Sequence, residues 1–170
     1  KDFELAIQWL MDAGLVHKVC QVSKPEAPLT FYEESDAFKL FLLDCGLLGA
    51  MNMTDATEAM LTDNIFEEYN GALTEQLVLQ ELKCVPNLPV YYYNKPNSQQ
   101  EIDFVIEIKN RAIPVEAKAG ENLQAKSLKQ FIQENKSEKA IKTSLKQYKS
   151  NEIIDNVPLY ALYCYLQEPH

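Results

Sequence analysis

The stretch Glu101-Ile-Asp-Phe-Val-Ile-Glu-Ile108, a short polar break and then Ile113-Pro-Val-Glu-Ala-Lys118 constrain this chain more than any other segment. Side chains alternate between the two faces of a strand. Ile102, Phe104, Ile106 and Ile108 therefore share one face of a first strand, and Glu101, Asp103, Val105 and Glu107 the other. In a second strand Ile113, Val115 and Ala117 lie opposite Pro114, Glu116 and Lys118. A turn at Lys109-Asn110 closes a hairpin in which Ile108 meets Arg111, Ile106 meets Ile113 and Phe104 meets Val115. On the reverse face Asp103 meets Glu116 and Glu101 meets Lys118. A one-residue slip would set apolar side chains against polar ones, so burial selects this register or one of the same parity.

Two carboxylates directly opposite each other repel. Lys118 alone can compensate them, which is the bland reading. A divalent cation does so better, because Mg²⁺ is commonly bound through one or two carboxylates plus waters and phosphate oxygens. The lysine then lies beside the cation, placed to stabilise a phosphate or orient an attacking water. Glu-x-Lys alone is common by chance. An aspartate, a hairpin's length and then Glu-x-Lys on the matching face is much less so. A third carboxylate from the preceding helix would complete a phosphodiesterase set. Glu75 fits, because Ala72, Leu79 and Leu82 flank it at helical spacing and a carboxylate on such a stripe needs a polar partner. Glu81 is the alternative.

Around the hairpin the hydrophobic period changes along the chain. Phe3, Ala6, Ile7, Leu10 and Met11 recur at helical spacing before Gly14. Leu15 to Val22 and Leu29 to Tyr32 read as strands flanking a Pro-rich loop, and Phe38 to Asp44 as a buried strand-like run. Cys45 to Met51 reads as a short helical turn, with Thr54 and Asp63 as N-caps beyond it. A long helix runs from Ile65 to about Val85, apolar on more than one stripe and so packed on two sides. Val90 to Tyr93 is a strand, and Tyr91, Tyr92 and Tyr93 more simply cover a sheet than stack on bases. Leu123 to Asn135 is an amphipathic helix with Leu128, Phe131 and Ile132 inward. Ala140 to Leu145 and Leu159 to Leu166 read as closing strands, and Trp9 as core. The resulting fold class is α/β or α+β, with helices flanking one mixed sheet.

Composition narrows the function. The chain has 170 residues and no apolar run of transmembrane length. It starts directly in a helix pattern without a leader, as expected of a piece cut from something longer. Its net charge of -9 is uneven: residues 1–108 carry 6 basic and 18 acidic side chains, and residues 109–170 carry 10 basic and 7 acidic. The acidic whole argues against strong non-specific DNA binding, while the lysines of the second half form either a local basic surface or a solvated helix face. Cys20, Cys45, Cys84 and Cys164 are too scattered for a zinc motif and read as free buried thiols of a cytoplasmic protein. His17 and His170 make no histidine metal site or Ser-His-Asp triad. No basic recognition helix appears in residues 1–50, which disfavours a DNA-reading regulator.

The Glu, Asp, Glu-x-Lys pattern resembles the PD-(D/E)XK nuclease superfamily. More closely, the chain resembles the C-terminal domain of unknown function found on predicted prokaryotic AAA-type ATPases. The likeness rests on Ala6-Ile-Gln-Trp-Leu with Ala13-Gly-Leu-Val, Phe38-Lys-Leu-Phe-Leu-Leu-Asp-Cys-Gly-Leu-Leu, Gly71-Ala-Leu-Thr-Glu75 and Glu101-Ile-Asp-Phe-Val-Ile. Val115-Glu-Ala-Lys-Ala-Gly120, Ser127-Leu-Lys-Gln-Phe131 and Pro158-Leu-Tyr-Ala-Leu extend it through nearly the whole chain. It implies a winged-helix-like segment over residues 1–55, and over 56–170 a restriction-endonuclease-like core with Glu75, Asp103, Glu116 and Lys118 as its catalytic set. Asp103, Glu116 and Glu75 would hold Mg²⁺ or Mn²⁺, with Glu101 in support. The implied partners are an N-terminal AAA-type ATPase domain in cis, DNA and further copies of the chain, with no membrane. The phosphate-loop motif is missing here, so ATP would belong to that N-terminal domain. The same superfamily includes folds that bind or assemble without cutting, and that is the alternative.

Overall fold

The computed structural model of the chain describes residues 3–51, 65–96, 98, 100–119 and 125–168. An 8-stranded mixed sheet forms its centre, in the order β2-β1-β3-β4-β5-β6-β8-β7. The strands are β1 (Val16–Val22), β2 (Glu33–Leu42), β3 (Val90–Asn94), β4 (Glu101–Ile108), β5 (Arg111–Ala117), β6 (Ala140–Ser144), β7 (Lys149–Ser150) and β8 (Ile154–Pro158). The described helices are α1 (Glu4–Asp12), α2 (Cys45–Met51), α3 (Ile65–Lys83), α4 (Lys126–Asn135) and α5 (Leu162–Gln167). The N-caps expected at Thr54 and Asp63, and the helix start expected at Leu123, lie outside the described residues.

The sheet separates two cores. On one face Val78, Leu79 and Leu82 of α3 and Leu162 of α5 pack on Val19, Phe104, Ile106, Val115 and Ile141. On the other, Leu128, Phe131 and Ile132 of α4 pack on Val22, Leu29, Tyr91, Tyr93 and Val105. Tyr91, Tyr92 and Tyr93 are all buried, as expected of residues that cover a sheet. Helix α3 touches β2 and β5 as well as α2 and α5, so it is packed on more than one side; Ala72 on its expected stripe is exposed.

Three readings of the sequence change. Leu29–Tyr32 is a 3-10 turn after Pro28, not a strand, and the second strand runs instead through Glu33–Leu42. Leu159–Leu166 is a 3-10 turn followed by α5, and the closing strand is Ile154–Pro158. Its Leu159 and Leu162 spacing serves a helix rather than the period of a strand. Trp9 is 64% exposed and not core, because no described residue of α1 is buried. The cysteines are free as expected, but none is fully buried: Cys20 and Cys45 are half-buried, and Cys84 and Cys164 are exposed. No described helix is long and apolar enough to cross a membrane.

Residues 3–51 do not stand apart from the sheet. β1 pairs antiparallel with β2 and meets β3 in parallel at Gln21 and Tyr92. The Glu107 carboxylate of β4 accepts the Leu29 N–H at 2.8 Å, which ties the 3-10 turn to the central strands.

Candidate active site

The hairpin forms in the expected register. Lys109 and Asn110 take left-handed conformations, φ 49° and 61°, the pair of positive values a tight two-residue turn requires. Ile108 then meets Arg111, Ile106 meets Ile113 and Phe104 meets Val115. Past Phe104 the simple alternation ends. From Tyr91 to Tyr93 the chain of β3 advances two residues, while β4 advances three, from Val105 to Ile102. This β-bulge inserts one extra residue and redirects the side chains next to it. Ile102 consequently joins the core under α4, while Phe104 and Ile106 join the one under α3, against the single shared face expected.

The bulge sits at Asp103 and changes its partner. Direct Asp103–Glu116 and Glu101–Lys118 pairing is replaced by side-chain contacts. The Asp103 carboxylate accepts the Ala117 N–H at 2.7 Å, at the point where the regular pairing of β4 with β5 has stopped. Lys118, one residue past the end of β5, pairs with Glu116, Nζ to Oε1 at 2.5 Å. Glu101 pairs with Lys39 of β2 at 2.5 Å, and Lys39 also lies 3.6 Å from Glu75 of α3. Two part-buried hydrogen bonds hold α3 where Glu75 reaches this group: Gln76 accepts the Leu42 N–H at 3.0 Å and donates to the Leu42 carbonyl at 2.8 Å. Glu81 is elsewhere, accepting the Tyr163 N–H at 3.1 Å.

The four expected residues thus form one electrostatic group, with Glu101 and Lys39 added. Lys39 escaped the sequence reading. Its one signal is a lone cation within the apolar run Phe38–Leu43, where a charge needs a partner. Its ammonium also lies 5.2 Å from the centre of the Tyr92 ring, a cation–π contact. A cleft of about 590 Å³ between β2 and α3 opens onto Lys39 and Glu75.

When all are ionised, Glu75, Glu101, Asp103 and Glu116 outnumber Lys39 and Lys118 by two charges. The protein meets this excess by shifting proton affinities. Burial, then the charges of Glu116 and Glu75, push the Asp103 carboxyl up to about 7, against the opposing Ala117 N–H and Lys118. Burial also raises Glu116, aided by Glu75 and Glu101 and resisted by Lys118. Burial pulls Lys118 down, but its bond to Glu116 and the charges of Glu116, Asp103 and Glu75 outweigh that, leaving it raised.

Among the described residues, one polar atom in the group has no partner. Glu116 is 4% exposed, and its Oε2 is buried without a hydrogen-bond donor. An unmet buried carboxylate oxygen beside a second carboxylate suits a hard cation, which takes oxygen ligands and completes its shell with water. Asp103 and Glu116 fit that role as a pair. Among the described residues no three His, Cys, Asp or Glu side chains are grouped to hold a metal ion alone, and Glu75 is turned toward Lys39.

Residues 70–162 match the family model described as Domain of unknown function (DUF4143), and residues 1–58 match the one described as Domain of unknown function (DUF8612). The first match spans more than half of the chain, and the chain belongs to that DUF4143 family. No curated protein and no solved structure matches it.

Proposed function

We propose that this chain is a metal-dependent phosphodiesterase module with a restriction-endonuclease-like core, carried in its full-length protein behind an AAA-type ATPase domain. The observation that carries the reading is the buried Oε2 of Glu116, unpartnered among the described residues, beside Asp103 and Lys118. Asp103 and Glu116 would hold Mg²⁺ or Mn²⁺. When bound, the cation supplies Lewis-acid polarisation of a phosphate oxygen and a more acidic water. Lys118 places a fixed positive charge where negative charge grows on the phosphate in the transition state. The Ala117 N–H orients Asp103, and Lys39 anchors Glu75 and Glu101 at the rim. The ATPase partner rests on the family resemblance and not on any residue of this chain.

A second reading, a nuclease-like fold that binds or assembles without cutting, is favoured by one feature. Lys39 already satisfies Glu75, the carboxylate expected to be the third ligand. The two readings separate in one experiment on single-stranded and duplex DNA substrates with Mg²⁺, Mn²⁺ or chelator. Cleavage should require the metal and be lost in Lys118→Met and Glu116→Gln by at least about a hundredfold, as for removal of a transition-state donor. Thermal unfolding should show both variants folded. No cleavage by the parent chain, together with no shift of its melting temperature by either metal, would establish the second reading.

A further inference from the structure

The register of the sheet places a polar row beside the candidate site that the phosphodiesterase reading does not use. Glu116 of β5 is paired with Lys142 of β6, Lys142 with Asn156 of β8, and Asn156 with Lys149 of β7. Directly paired residues project from the same face of a sheet. The row therefore runs from Glu116 across four strands on the α4 side, roughly 14 Å at the usual strand spacing.

Its far half is the floor of an open cavity of about 740 Å³, lined by Lys142, Lys146, Tyr148, Lys149, Asn151 and Asn156 among others, and by no acidic side chain. In a chain of net charge -9 this is an uncompensated cationic surface. None of Lys142, Lys146 and Lys149 forms an ion pair among the described residues, although Lys142 is the register partner of Glu116. Burial, then Lys129, Lys146, Lys118 and Lys149, hold the Lys142 ammonium below its usual range, so five lysines converge there, one of them from the candidate site. The groove is built rather than accidental. Asn156 accepts the Ser144 hydroxyl at 2.8 Å and donates to the Gln147 carbonyl at 3.0 Å, which fixes the loop that carries Lys146 and Tyr148.

We propose that this groove binds the sugar–phosphate backbone of a single-stranded nucleic acid and leads it along the Lys149–Asn156–Lys142 row to Glu116 and Lys118. A lysine track with an aromatic at its rim is the usual platform for a single strand, the cations taking phosphates and the ring taking a base. Tyr148 lines the groove and is 55% exposed, its ring centre 6.3 Å from that of Tyr165. A rigid duplex would also have to approach the acidic remainder of the chain, which a flexible strand confined to the groove avoids. The direction of the track toward Glu116 rests on the phosphodiesterase reading, whereas strand binding in the groove does not.

The test is fluorescence anisotropy of labelled oligothymidylate, alone and as a duplex with oligoadenylate, titrated in chelator with the 170-residue chain and its K146E/K149E variant. Both lysines are exposed loop or edge residues, and circular dichroism checks that the fold is kept. The single strand should bind, and the variant should bind it at least tenfold more weakly. The slope of log affinity on log salt should become shallower by about 0.7 for each phosphate that the variant no longer neutralises. Failure of the parent to bind, equal binding by the variant, or tighter binding of the duplex would overturn the proposal. Strand binding without cleavage in Mg²⁺ or Mn²⁺ would remove the phosphodiesterase reading and leave the groove standing. Cleavage that survives K146E/K149E with unchanged binding would remove the groove alone.

Discussion

Two sheet aspartates show how the same residue type is set for opposite purposes. Asp155 is 1% exposed, yet its carboxyl lies below the usual range. Burial works against that, but Lys139 at 2.6 Å and the hydroxyls of Ser150 and Tyr165, each at 2.5 Å, outweigh it. Its charge is fully met, as a structural ion's should be. Asp103 has one main-chain donor and two carboxylate neighbours, and it is pushed up to about 7. Perturbed groups with an unmet charge concentrate at functional sites. The shift has a consequence for stability. Between the ordinary value of 3.8 and about 7 the folded chain binds a proton at Asp103 that the unfolded chain has released. Linkage then makes stability fall as pH rises through that window. In chelator, denaturant unfolding should give a higher stability at pH 5 than at pH 8. Asp103→Asn should flatten that slope, leaving the part due to Glu116. An unchanged slope in the variant would mean that Asp103 is already ionised and well solvated.

At the scale of elements, what holds the site is the seam between α3 and β2. Gln76 is 2% exposed and uses both ends of its amide on Leu42, so it acts as a stretch of neighbouring strand for β2. Glu75 is the next residue along, and Lys39 is on the strand so held. Gln76→Ala should therefore cost about 1–3 kcal/mol, the usual penalty for stranding buried polar partners. Gln80→Ala, which removes one 3.3 Å bond to the Cys45 N–H, should cost less. Equal losses in chemical denaturation would mean that water replaces the Gln76 amide without penalty. This seam also marks the limit of what the sequence reveals. Alternation and turn chemistry were enough to give the hairpin register, since period-two burial and a two-residue turn are local properties. The bulge at Asp103 is not local. It depends on how β3 and β4 share their hydrogen bonds, and no pattern within β4 marks it. Lys39 stands out in sequence only as a cation in an apolar run, and its partners are not local either: they are 36 and 62 residues away, and only the sheet order brings them together.

At the scale of the molecule, two family matches meet in one sheet. The match over residues 1–58 supplies β1 and β2, and the match over 70–162 supplies β3 to β8. The strand-to-strand seam is thin, a single registered pair at Gln21 and Tyr92. Side-chain packing across it is not thin. Val19 lies in the core under α3, and Val22 and Leu29 lie in the core under α4, all of them fully buried. Detaching β1 would therefore open both cores at once and expose Glu107 without its Leu29 partner. Burial of this kind makes neighbouring elements open as one cooperative unit, whereas a seam held by backbone pairing alone can open by itself. Native-state hydrogen exchange distinguishes the two. The amides of β1, an interior strand between β2 and β3, should exchange only through the same opening as those of β4 and β5, with the same free energy and denaturant dependence. The outer helix α1, with Trp9 exposed and no buried residue described, should exchange through a smaller local opening. If β1 and β2 instead exchanged together well below the β4–β5 level, Lys39 would leave with them, and Glu75 and Glu101 would be freed toward Asp103 and Glu116. The first segment would then act as a removable cover on the candidate site rather than part of its frame.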